Sequence, residues 1–149
     1  MLNSDFIKQI EPELGTNFVL ELMHNCFLNF KENLDYNLEV YKNSLSIDIK
    51  NEYNKYLFID LSNKSLEIRF DFSELLIFID EVDCEIVAKL LNDFFKGNYI
   101  LKTAVKNELI VSQEILFIDE DLSQFNRVDI YGNQKADEIS QKRGYNWFN

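Results

Sequence analysis

Leu66-Glu67-Ile68-Arg69-Phe70-Asp71-Phe72 places an apolar side chain at every second position and a charged one between, and Leu45-Ser46-Ile47-Asp48-Ile49-Lys50 repeats the alternation earlier in the chain. Successive side chains of a strand point to opposite faces, so a period of two predicts half-buried antiparallel strands with one packed and one wet side. Residues 56–61 read as a further strand, joined to the 66–72 strand through Ser62, Asn63, Lys64 and Ser65 as a hairpin. Residues 75–79 are apolar throughout, which predicts a strand covered on both faces.

On either side of this block the period changes. Val19, Leu22, Met23, Cys26, Phe27, Phe30 and Leu34 recur at spacings of three and four, predicting a helix over 17–33 whose stripe faces the core. Ile86, Val87, Leu90, Leu91 and Phe94 predict a second helix over 81–96, with Gly97 placed to end it. A short helix is expected over 4–10, capped by Ser4 and ended before Pro12. Beyond Gly97, residues 99–106 and 109–118 form a second hairpin turning at Asn107 and Glu108. A short strand at 128–131 and a helix over 134–143, between Asn133 and Gly144, complete the reading. This order describes an α+β fold, a single domain over 1–149 with a mostly antiparallel sheet packed against two main helices.

Composition agrees with a folded core: 46% of the 149 residues are hydrophobic, with 13 Phe and 7 Tyr. One Pro and four Gly leave no linker signal. No apolar run approaches the roughly 18 residues of a membrane span. Asp5, Glu11 and Glu13 stand where a secretory leader carries cations and then an unbroken apolar run, so a cytoplasmic location is expected. Cys26 and Cys84 match no metal-ligand spacing and read as core fillers.

Fifteen basic against 26 acidic residues give a net charge of -11. Such a surface repels nucleic-acid phosphates and anionic lipids and speeds encounter with basic proteins, so a protein partner is expected, with neither nucleic acid nor membrane. Plain solubility explains the same charge equally well.

Candidate chemistry is sparse. Three apolar runs end in Phe-Ile-Asp, at Asp60, Asp80 and Asp119, and two of them continue into acid clusters: Asp80, Glu81, Asp83 and Glu85, then Asp119, Glu120 and Asp121. Carboxylates at strand ends suit Mg²⁺, but the first cluster also suits the opening turn of a helix, where the macrodipole favours anions. Asp48-Ile49-Lys50 matches half of a restriction-type nuclease motif and Asp60-Leu61-Ser62 the start of a ribonuclease H-like strand, each without its remaining residues. His24, the only histidine, flanks the first helical stripe with no orienting partner at relay spacing. Neither a nucleophile elbow nor a Gly-rich phosphate loop occurs, so no enzyme activity and no cofactor are expected. The aromatics Tyr145, Trp147 and Phe148 at the C-terminal end either fold back on the core or form an adhesive patch.

In size, acidity and Asn/Lys/Ile-rich composition across the whole chain, the protein resembles the immunity proteins that accompany bacterial polymorphic toxins, including those of contact-dependent growth inhibition systems. The resemblance implies a cytoplasmic inhibitor that binds one cognate toxin domain, often a cationic nuclease, through electrostatic steering and an apolar anchor. Asp80, Glu81, Asp83, Asp119, Glu120 and Asp121 are the expected steering residues, with Tyr145 and Trp147 as anchors. Two other readings stay open. The element order also looks like the dimeric chaperones of type III secretion, and the acid clusters leave room for a Mg²⁺-dependent hydrolase.

Overall fold

The computed structural model describes residues 18–42 and 44–149, and the short helix expected over 4–10 lies outside them. Five strands follow the first helix, α1 (Phe18–Leu28): β1 (Asp35–Tyr41), β2 (Ser44–Lys50), β3 (Tyr56–Ser62), β4 (Ser65–Phe70) and β5 (Ser73–Phe78). They pair in chain order as an antiparallel meander, so short turns are the only connections this sheet needs. A 3-10 turn (Ile79–Glu81) leads into α2 (Cys84–Lys96). Then come β6 (Tyr99–Lys106), β7 (Leu109–Phe117), a 3-10 segment (Glu120–Phe125), β8 (Arg127–Ile130) and β9 (Glu138–Arg143). These last four strands make a second antiparallel sheet in the order β8-β7-β6-β9. The architecture is α+β, as expected, with two sheets where one was anticipated.

The turns carry the backbone the sequence demands. Asn107 and Glu108 both adopt positive φ, 50° and 67°, the pattern of a two-residue hairpin whose twist matches its strands. Asn51 organises the β2–β3 turn by accepting the Tyr53 and Lys55 amides on its side-chain oxygen, both at 2.9 Å. Gly97, at φ 77°, ends α2 in the left-handed conformation, its N–H turned back onto the carbonyls of Asp93 and Phe94.

One continuous core joins the layers. The inward rows of the first sheet, among them Ile47, Ile59 and Ile68, meet Val19, Met23 and Phe27 of α1 and Leu90, Leu91 and Phe94 of α2. Phe94 lies 4.7 Å from Phe70 of β4 and stacks at 5.3 Å on Tyr99 of β6, so one α2 side chain touches both sheets.

Several expectations are corrected. Residues 134–143 are no helix: Glu138–Arg143 is β9, antiparallel to β6. A helix there would have Ile139 as its single large apolar side chain and nothing to bury, whereas an extended chain satisfies the open edge of β6. The strand expected through 72 stops at Phe70, because Asp71 takes φ 52° and turns the chain; Phe72, expected inside, is 47% exposed. β5 is covered on one side only, with Leu76 and Phe78 40% and 49% exposed. α1 ends at Leu28 instead of 33, since the chain leaves the helix to pair with the C-terminal segment: Phe30 bridges Phe148 and the Lys31 amide donates to the Trp147 carbonyl at 3.0 Å. Cys26 is a core filler, its thiol pushed up to about 12 by burial, but Cys84 is exposed at the first position of α2.

The C-terminal aromatics fold back. Trp147 is 2% exposed and donates its amide to the Phe95 carbonyl at 2.7 Å, and Phe148 packs on Phe30. Gly144 permits this path, because a Cβ there would stand 2.3 Å from the Tyr99 ring. Gly144→Ala is therefore expected to destabilise the fold by about 1–3 kcal/mol, the range for overpacking. Denaturant unfolding measures it, and a loss under about 0.5 kcal/mol, the scale of a neutral surface change, would mean that the Tyr99 ring yields.

Candidate protein-binding face

The sequence-selected acids surround α2. Asp80 and Glu81 occupy the 3-10 turn before it and Asp83 its N-cap position, all exposed. Asp119 caps the later 3-10 segment by accepting the Asp121 amide at 2.9 Å. Lys89, from α2, reaches both carboxylates, at 2.6 Å to Asp119 and 2.9 Å to Asp121. The Lys89 hydrogen bond holds the Asp119 carboxyl below the usual carboxylate range, and the same two acids hold the Lys89 ammonium above its own. Asp119 and Asp121 are thus already partnered within the chain, while Glu120 remains exposed beside them.

Tyr145 and Trp147 lie elsewhere. They meet edge to face at 4.9 Å where the chain returns to Phe95, near the far end of α2. With about 1.5 Å of rise per residue, α2 separates them from the acids at its start by roughly 20 Å. The two halves of the expected site do not share a surface, and Trp147 is buried in the fold rather than presented as an anchor.

Metal chemistry gains no geometry. Among the described residues no three His, Cys, Asp or Glu side chains are arranged to hold an ion. His24 is half-buried on α1, with Nδ1 enclosed and without a hydrogen-bond partner.

A different surface gathers charge and aromatic area together. The strand registers place Glu39, Ser46, Asp60, Glu67 and Leu76 in one row across the outward side of the first sheet. Asn37, Asp48, Phe58, Arg69 and Glu74 form the adjoining row. Their neighbours along the strands put Leu45, Ile47, Leu57, Ile59, Leu66 and Ile68 on the buried side. Tyr41, Tyr56, Phe58, Leu76 and Phe78 are exposed large side chains on this outward face.

Like charges crowd here. Arg69 bridges Asp60 at 3.2 Å and approaches Glu67 at 3.9 Å, and its guanidinium lies 5.7 Å from the Phe58 ring centre. Tyr56 stacks on Phe58 at 5.9 Å. Burial, and then the hydrogen bond and charge of Glu74, hold the Glu67 carboxyl above the usual carboxylate value despite Arg69. Tyr41 donates its hydroxyl to Glu39, and that contact, reinforced by the fields of Asp60 and Asp48, raises the phenol. Glu74 finds Arg127 of β8 at 2.6 Å, an ion pair between the two sheets.

The sequence carries a signal for this face. Tyr56 and Phe58 alternate with Leu57 and Ile59, and Leu76 and Phe78 with Leu75 and Ile77, so apolar area stands at outward positions of two strands.

Known proteins supply no further guide: no protein-family model, curated protein or solved structure matches the chain.

Proposed function

We propose that this chain is a non-enzymatic protein-binding inhibitor of the immunity type, which neutralises a basic toxin domain in the cytoplasm through the outward face of its first sheet. The observation that supports the reading is the combination on that face of crowded carboxylates with exposed aromatic side chains, on a sheet already rigidified by the core behind it. Carboxylates steer a cationic partner and aromatic area supplies the anchor, the division of labour that gives fast association and slow release. The chain's net charge of -11 argues against a phosphate-bearing partner. No helix among the described residues is long and apolar enough to cross a membrane.

Crowding like charges opposes folding, so its presence on one face is better explained by a partner than by stability. Glu67 makes the distinction measurable. Its raised carboxyl means that the native state holds the proton more tightly than the unfolded chain. That contribution favours folding in acid and is lost as pH rises through the folded value. Glu67→Gln keeps a hydrogen-bond donor toward Glu74 and removes the charge. It should stabilise the free protein near neutral pH by on the order of 0.5 kcal/mol after solvent screening, the gain vanishing between about pH 7 and pH 3. Thermal melts across that range check the sign, and a stability loss at neutral pH would show that the Arg69 contact outweighs the repulsion.

The functional test uses the C-terminal domain encoded by the adjacent reading frame. Expressed alone in a bacterial host, that domain should arrest growth, and the wild-type chain should restore it. Asp60→Lys combined with Phe58→Ala should fail to protect and should slow association by about tenfold or more at low salt. Asp80→Lys should do neither. An adjacent domain that leaves growth untouched, or protection that survives loss of the sheet face, contradicts the proposal. An obligate dimer by light scattering would favour the secretion-chaperone reading instead.

A further inference from the structure

Between the two sheets lies a cleft of about 580 Å³, within the usual size of small-molecule sites, whose floor is formed by core residues. Its walls are aromatic: Tyr56, Phe70, Tyr99, Tyr145 and Trp147 contribute, with Leu57 and Leu101. The polar groups divide into two kinds. Asp71 and Lys142 bridge the cleft's edge at 3.0 Å, and Gln113 donates to the other Asp71 oxygen at 3.3 Å, so this pair is internally neutral. Lys55 and Arg143 are the second kind. Arg143 is held by neutral acceptors, the Gly97 carbonyl at 3.4 Å and the Asn98 side-chain oxygen at 2.6 Å.

Among the described residues neither Lys55 nor Arg143 has a carboxylate within ion-pair distance. In a chain with 26 acids for 15 bases, two such cations lining one aromatic cleft form a local exception to the overall charge. We infer that the cleft binds a small planar aromatic carboxylate, the ring lying against Tyr56 and Tyr145 above the buried Tyr99 and Trp147, the carboxylate between Lys55 and Arg143. A guanidinium suits a carboxylate through paired N–H donors, and aromatic walls suit a flat ring. The surrounding charge of -11 favours a monoanion over a doubly charged phosphate, which the same field repels twice as strongly.

The cleft shares Tyr56 and Phe58 with the face that carries the proposed inhibitor function, but its cations Lys55 and Arg143 lie outside the acidic rows, so substitutions at those two residues test the cleft separately. Trp147, the single tryptophan, gives the cleft one indole N–H signal in a nitrogen-proton correlation spectrum. Titration of the full chain with 2-naphthoate should shift that signal saturably at submillimolar to millimolar concentration. The neutral 2-naphthamide should bind about tenfold more weakly, the equivalent of one lost charge-assisted hydrogen bond. Lys55→Gln and Arg143→Gln should each bring naphthoate down to the amide's affinity while leaving spectral dispersion intact. Lys55 carries the test if loss of the Arg143 contacts to Gly97 and Asn98 perturbs the fold. Equal binding of acid and amide, an unmoved Trp147 signal at saturating millimolar probe, or naphthoate affinity unaltered in Lys55→Gln would each overturn the assignment.

Discussion

Phe94 stands between Phe70 and Tyr99, so a single α2 side chain packs against both sheets at once. Its helix is amphipathic by itself, but helical propensity over thirteen residues is marginal in water without a packed face. The first sheet supplies Phe70 and the second supplies Tyr99, so the ring is enclosed only when both sheets are in place. Aromatic pairs of this kind contribute about 0.5–1.5 kcal/mol each beyond the area they bury. Tyr99 in turn rests against Gly144, and Gly97 approaches the Gly144 carbonyl so closely that a Cβ would stand 2.3 Å from it. The end of α2, the start of β6 and the C-terminal segment are thereby fixed by one set of close contacts.

That fixed centre explains where polarity ends up. With α1, α2 and the second sheet gathered on one side of the five-stranded meander, its opposite side receives no covering element among those described. The side chains there had to be compatible with water, yet Tyr41, Tyr56, Phe58, Leu76 and Phe78 are not what solubility alone selects. The carboxylates between them keep the surface hydrated while giving it a sign.

Much of this was legible in the sequence, and the rest was hidden for identifiable reasons. The alternation in β2 and β4, the stripe of α2 and the Asn107-Glu108 turn are local signals, and each holds to within a few residues. β9 was not legible, because a strand with every residue exposed carries no alternation of its own; only the open edge of β6 calls for it. Phe72 misled by extending the alternation through a turn that Asp71 imposes with its positive φ. β5 misled in the opposite direction, since a strand apolar on both sides reads as doubly buried whether the second side meets protein or solvent.

The state of the candidate acids was hidden for a related reason: counting carboxylates says nothing about which are already neutralised. Asp119 and Asp121 form the denser cluster by spacing, but Lys89, thirty residues earlier on α2, holds both. Asp60, Glu67 and Glu74 are scattered over three strands, yet the antiparallel registers bring them side by side, with Arg69 and Arg127 as their ion-pair partners among the described residues. An acid's availability to a partner is set by tertiary neighbours, whereas its position in a run is set by sequence. Charge that the fold has crowded and left partly unanswered can attract a cationic surface; charge that the fold has paired must first give up its own partner.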